Sequence, residues 1–184
     1  MAMSDTISVE NGTDIILAFL FAGGSRKTEN EEIVGTTRLD KLIFLLAQET
    51  GLRKYLNDFS FEPYNFGPYS AGVFDAIQAL ENAGLVKVDT LDSEGYLDEA
   101  DRYQIELQAG ENVDSPKTTT VYSLTPEGMK VASALFNALS KQEQDELRAL
   151  KIRFNSINLR KLLQYVYRKH PDYTTESKIR DYVF

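Results

Sequence analysis

Three helix-period stretches, short strand-period runs and three further helix-period stretches, in that order, predict an α+β fold. The expected form is a winged helix-turn-helix with a small antiparallel sheet and additional C-terminal helices. In the first group Ile16, Phe19 and Leu20 share a face, Leu39, Leu42, Ile43 and Leu46 follow an i, i+3, i+4, i+7 stripe, and Val73, Ile77 and Leu80 repeat it. The strand signals are the apolar run 85–88, the alternating run 103–108 and its expected antiparallel partner 119–124. The last three helices turn inward Val131, Leu135 and Ala138, then Leu147, Leu150 and Phe154, then Leu159, Leu162, Leu163 and Val166.

Local signals place the boundaries. Residues 1–12 are polar and read as a flexible N-terminus. Thr13 is the expected cap of the first helix, and Gly23-Gly24 its stop. The segment 25–35 carries Glu29, Glu31 and Glu32 and reads as an exposed loop. Thr37 with Asp40 three residues on forms an acidic variant of the capping box for the second helix, which runs to about Thr50. Ser70 is placed to cap the third helix and Gly84 to end it. Thr125-Pro126 opens the fourth, with proline at its favoured first position. Ser140 and Ser156 are the expected caps of the last two helices, and Pro171 ends the chain's final long one. The organisation is therefore a winged-helix domain over 13–140 and a C-terminal helical extension with a basic face over 141–184.

Composition removes several kinds of function. The 184 residues contain no cysteine and one histidine, which excludes disulfides, thiolate zinc sites and cysteine nucleophiles and makes a histidine metal site implausible. No run reaches the roughly 18 apolar residues of a membrane span, and the apolar stretch 15–22 lacks a basic leader. A cytoplasmic protein is expected. The net charge of −8 argues against a whole-molecule polyanion binder. That figure hides an asymmetry: 11 Lys and Arg face 25 Asp and Glu through residue 147, whereas nine face three beyond it. An acidic body with a basic end predicts separate surfaces, or two that attract each other.

Candidate sites follow from these patterns. The third helix carries Asp75 and Glu81 and no cation, so it is a poor reader of the major groove, where phosphate neutralisation supplies most affinity. On the last long helix Arg160, Gln164 and Arg168 form one row and Lys161, Tyr165 and Lys169 the next, a basic face interleaved with aromatics for nucleic acid or an acidic partner. The run 89–102 holds six acids and partly matches a calcium loop, but Thr90 stands at its first position and no glutamate at its twelfth. It reads as an acidic wing loop and as the most mobile internal segment. No cofactor is expected, and His170 has no nucleophile beside it in sequence. The most specific run is Phe61-Glu-Pro-Tyr-Asn-Phe-Gly-Pro-Tyr-Ser, in which four aromatics surround a Gly-Pro turn. Phe61 and Phe66 suit the core, while Tyr64 and Tyr69 suit either the entry to the third helix or an exposed aromatic patch for a protein partner.

Two segments carry resemblances. Tyr122-Ser-Leu-Thr-Pro-Glu-Gly resembles the return from the wing in many winged-helix regulators. Arg38-Leu-Asp-Lys-Leu-Ile-Phe-Leu-Leu, the Gly67-Pro-Tyr-Ser turn and the Ala-Gly-Leu-Val that follows the third helix resemble the SocA/Panacea antitoxin-type domain over roughly 13–140. Arg38, Lys41, Gly67, Pro68, Tyr69 and Ser70 match the motif positions. The resemblance implies a non-enzymatic domain of toxin–antitoxin or phage-defence systems that binds a toxin, with no catalytic residues. Expected partner contacts are Arg38, Lys41, Tyr64, Phe66 and Tyr69, the two cations acting as steering groups; a homodimer is compatible with this. The alternative is a transcriptional regulator that binds DNA weakly, as a dimer, through the wing and the basic tail with Arg160, Lys161, Arg168 and Lys169.

Overall fold

The structure, a computed structural model, describes residues 7–26, 28–92, 110 and 118–184. The chain is α+β. In order, it forms α1 (Gly12–Phe21), β1 (Ile33–Val34), α2 (Thr36–Glu49), α3 (Arg53–Leu56), β2 (Glu62–Tyr64), β3 (Gly67–Tyr69), α4 (Ala71–Asn82), β4 (Val86–Asp92) and β5 (Thr118–Leu124). Helices α5 (Pro126–Ala138), α6 (Lys141–Phe154) and α7 (Leu159–Lys169) follow, then a 3-10 turn (Pro171–Thr174) and α8 (Arg180–Val183). Helix α4 is thus the third helix of the sequence reading, displaced in number by the short α3. Among the described residues no helix is long and apolar enough to cross a membrane.

The sheet is antiparallel with strand order β1-β5-β4. Strand β4 pairs with β5 along its whole length, from Val86 opposite Leu124 to Asp92 opposite Thr118. Thus β4 continues four residues past the expected 85–88 run, through Thr90 at the start of the expected wing loop. The rest of that loop and the expected strand 103–108 lie outside the described residues. The segment 25–35 is not a plain exposed loop. It contains β1, and Glu31 is fully buried, with its carboxylate accepting from the Arg26 N–H at 2.7 Å and the Asn155 amide at 2.8 Å. Three glutamates looked like a solvated run because one partner of the middle one, Asn155, lies over a hundred residues away.

Capping departs from expectation at α1, α2 and α7. Asn11, not Thr13, caps α1, its Oδ1 accepting from the Asp14 N–H. Helix α2 begins at Gly35, which is held at φ 99° and donates its N–H to the Thr120 carbonyl of β5. No side chain caps α2, so the Thr37 box does not form. Asn158, not Ser156, caps α7. Two expected caps hold: Thr125 accepts from Gly128 N–H at 3.0 Å, and Ser140 with Glu143 completes a capping box on α6. Gly128 is a steric requirement, since a Cβ there would strike the Leu85 carbonyl. On α5 the inward residues are Ala132, Leu135 and Phe136, whereas Val131 and Ala138 are exposed. The inner stripe is rotated from the one expected because Phe136 packs against Phe21 of α1, with ring centroids 5.5 Å apart.

One core runs through the molecule, drawing on α1, α2, α4, the sheet and all of α5 to α8. Residues 141–184 share it rather than sitting beside it. Its main polar tie is Lys151 of α6, which is fully buried. The Lys151 Nζ donates to the carbonyls of Phe19, Leu20 and Ala22, at 2.9, 2.9 and 2.7 Å. These are the unpaired carbonyls of the last turn of α1, where a cation also meets the negative end of the helix dipole.

Two predictions follow from these ties. Lys151→Met leaves three buried carbonyls without their donor and should lower unfolding stability by about 3 kcal/mol or more, read by chemical denaturation. The second concerns Glu143. Burial alone would raise its carboxyl, but Lys54 and Ser140 outweigh burial and hold it at about 2, against an ordinary 4.5. A carboxylate depressed on folding adds stability above its unfolded pKa and loses it as pH falls through the folded one. Glu143→Gln should therefore lower the melting temperature at neutral pH, with the gap to wild type closing from about pH 4.5 toward about pH 2. A gap that does not change with pH would refute the assignment.

Candidate partner-binding site

The motif residues meet at one place. Lys41, 2% exposed, donates its ammonium to its neighbour Asp40 at 3.0 Å and to the Pro68 carbonyl of β3 at 2.7 Å. Asp40, also 2% exposed, accepts the Ser70 N–H through its other oxygen at 3.3 Å. Burial pushes the Asp40 carboxyl up, against the opposing pull of Lys41 and the Ser70 N–H. Two adjacent charges on α2 thus grip the backbone on either side of Tyr69. Ser70 begins α4 with extended backbone, but its hydroxyl makes no capping bond and is buried without a partner among the described residues. The expected cap therefore does not form, and Ser70 is held instead through its N–H.

Arg38 is buried as well, at 3% exposure, with Nη1 donating to the Phe154 carbonyl at 2.9 Å. Burial and the charge of Arg26 lower its pKa to about 10, so it stays cationic at neutral pH. Arg38 and Lys41 are therefore not steering groups on the surface. The expectation took α2 as half-exposed, whereas every residue from Arg38 to Ala47 is buried. Helices α6 and α7 and strand β3 cover the face on which these cations lie. Phe44 and Leu45 lie on that supposedly polar face, and a helix with large apolar residues all round is an interior helix.

The Gly-Pro turn is a hairpin. Strands β2 and β3 pair antiparallel, Glu62 opposite Tyr69, Pro63 opposite Pro68 and Tyr64 opposite Gly67. Gly67 has φ 90°, and a Cβ there would lie 2.8 Å from the Tyr167 ring, so only glycine serves. Phe61 packs edge-on against Phe44, with centroids 5.3 Å apart, and Phe66 packs partly buried against the core, as expected. Tyr64 is 48% exposed. Its ring lies 5.0 Å from that of Tyr69, which stacks on Phe74 of α4 at 5.8 Å and 18°. Three rings thus form a stripe from hairpin to helix, with Tyr69 and Phe74 half-buried. Phe74 was missed by the sequence reading; its position one residue past the inward Val73 was the available signal.

The basic face of α7 is largely engaged within the chain. The C-terminal segment crosses the first row: Gln164 donates to the Val183 carbonyl at 2.8 Å, Arg160 lies 5.0 Å over the Tyr182 ring and Arg168 5.5 Å over the Phe184 ring. In the second row the Tyr165 hydroxyl donates to Glu49 at 2.8 Å, while Lys161 and Lys169 are exposed. The same Glu49 carboxylate pairs with His170 at 2.8 Å, and the imidazole stands edge-on to Phe44. The lone histidine thus fastens the end of α7 to α2.

A separate groove of about 500 Å³ lies between α5 and the segment after α1, floored by Phe21 and Phe136 and edged by Glu29, Lys130 and Arg148. It does not adjoin any of the expected site residues.

The stripe and the clamp beneath it form the candidate site of this chain. No protein-family model matches the sequence, and comparison with curated proteins and with solved structures returns no match.

Proposed function

We propose that this is a winged-helix protein-interaction module, non-enzymatic and antitoxin-like, which acts by holding a protein partner against the Tyr64–Tyr69–Phe74 stripe. The winged-helix reading draws support from the order α1, β1, α2, α4, β4, β5, with β1 paired to β5, once α3 and the β2–β3 hairpin are taken as an insertion between α2 and α4. The binding reading rests on one observation: a partly exposed aromatic stripe runs from a hairpin onto α4, and the backbone of that hairpin is fastened from below by Asp40 and Lys41. A surface already rigid loses little entropy on binding, and tyrosine is a favoured anchor in interfaces.

The DNA-binding alternative draws less support. Helix α4 has no Lys or Arg, and Arg160 and Arg168 already lie over rings of their own chain. Lys161, Arg168 and Lys169 are the exposed cations of that face, with Arg168 lying over Phe184, few for a phosphate-driven interface.

The test is co-expression with the product of the gene next to its own, followed by purification, affinity measurement and a growth assay. A growth-arresting product that this protein binds and silences is the expected result. Tyr69→Ala should weaken that complex by about 2 kcal/mol or more, roughly 30-fold in Kd. Lys41→Met separates anchor from support, since it should lower the melting temperature far more than Tyr64→Ala does. Rescue of growth by Tyr69→Ala equal to wild type, with both proteins folded, would remove the stripe as the binding surface.

A further inference from the structure

The chain treats its outer aromatic rings in two ways. Toward the C-terminus they are covered by guanidinium groups: Arg153 lies 4.7 Å over Tyr165, Arg160 5.0 Å over Tyr182 and Arg168 5.5 Å over Phe184. On the hairpin side, among the described residues, no guanidinium or ammonium lies over Tyr64, Tyr69 or Phe74.

The hairpin and α4 themselves carry charge of one sign. Residues 55–86, which span the hairpin and α4, contain no Lys or Arg and four acids: Asp58, Glu62, Asp75 and Glu81. Glu62 stands directly opposite Tyr69 in the hairpin register and two residues from Tyr64, so its carboxylate shares a face with both rings. Asp75 follows Phe74 on α4 and is exposed. Lys178 is joined to the hairpin at its turn, where its backbone N–H bonds the Asn65 carbonyl at 3.0 Å.

We infer that the hairpin face receives a cationic segment of the protein partner, with an arginine laid on the Tyr64–Tyr69–Phe74 rings and its N–H groups directed to Glu62. This deepens the protein-binding reading above and rests on it. The faces of aromatic rings attract cations, and a carboxylate at their edge supplies the acceptor that a guanidinium needs. Arginine suits the site better than lysine because its planar head stacks on rings and forks to a carboxylate. The net charge of −8 draws such a segment in from solution. The protein makes this ring–guanidinium pairing within itself on Tyr165, Tyr182 and Phe184, and the partner supplies to the hairpin face the cation that none of the described residues places there.

The test uses the full-length protein, isotope-labelled, titrated with a short Gly/Ser peptide carrying two arginines. The lysine and citrulline versions of the peptide are run alongside, citrulline keeping the shape of arginine without its charge. The arginine peptide should shift the amide resonances of Tyr64, Tyr69 and Phe74, with the lysine peptide weaker and the citrulline peptide at least about tenfold weaker. Glu62→Gln combined with Asp75→Asn should raise Kd at least about threefold with the melting temperature unchanged, since both side chains are on the surface. Four results would overturn the inference: shifts centred elsewhere, equal binding of citrulline, indifference to the double substitution, or no shift up to about 5 mM peptide. Arginine-dependent binding at the rings, with no complex formed by the neighbouring gene's product, sustains the cationic site and removes the antitoxin reading. A Tyr69-dependent complex indifferent to Glu62→Gln and Asp75→Asn removes the cationic site alone.

Discussion

The Lys41 ammonium lies out of water between the Asp40 carboxylate and the Pro68 carbonyl, and the same carboxylate takes the Ser70 N–H. Burying two charges is costly unless both are paired and fully hydrogen-bonded, so this arrangement is held only as a whole. It sets the height and tilt of β3 against α2. From β3 follow the start of α4, the outward direction of Tyr69 and the contact of Gly67 with Tyr167 on α7. A buried charge pair adds little net stability over an apolar replacement, but loss of one member strands the other, typically at a cost of about 3–5 kcal/mol. Its value lies in fixing one position for a short hairpin that buries little of its own.

Lys151 does comparable work on the other side of the core. By taking three carbonyls at the end of α1 it ties the C-terminal helices to the N-terminal one. Together with the Glu31–Asn155 bond it explains why the chain from 141 onward is part of the same core. The charge asymmetry is partly absorbed in this way. Of the basic residues of the C-terminal part, Lys151 bonds to carbonyls and Arg153, Arg160 and Arg168 lie on rings, while Lys161 and Lys169 are exposed.

Much of the fold was legible because it depends on short-range pattern. The stripes Leu147–Leu150–Phe154 and Leu159–Leu162–Leu163–Val166 are buried as their spacing implies, and Thr125-Pro126 and Ser140 start helices as their chemistry requires. Where two cap candidates lay within a few residues, the choice fell to whichever backbone geometry the neighbours allowed, as with Asn11 over Thr13 and Asn158 over Ser156. The aromatic Gly-Pro segment was legible as a site, and its split into inward Phe61 and Phe66 and outward Tyr64 and Tyr69 follows from strand alternation once the hairpin register is known.

The amino-acid sequence by itself determined the α+β class, the order of the long helices, the acidic body and basic end, and the aromatic turn, since each depends on residues near one another along the chain. Only the tertiary structure decided what the charges do. Arg38 and Lys41 were expected on the surface and are buried, Arg160 and Arg168 were expected free and lie on rings, and Glu31 was expected in solvent and is at the centre of a bonded network. The physical reason is common to all of them. A charged side chain reads as exposed unless its partners are known, and these partners are backbone carbonyls, amides and ring faces contributed by segments distant in sequence, which only the packed chain brings together.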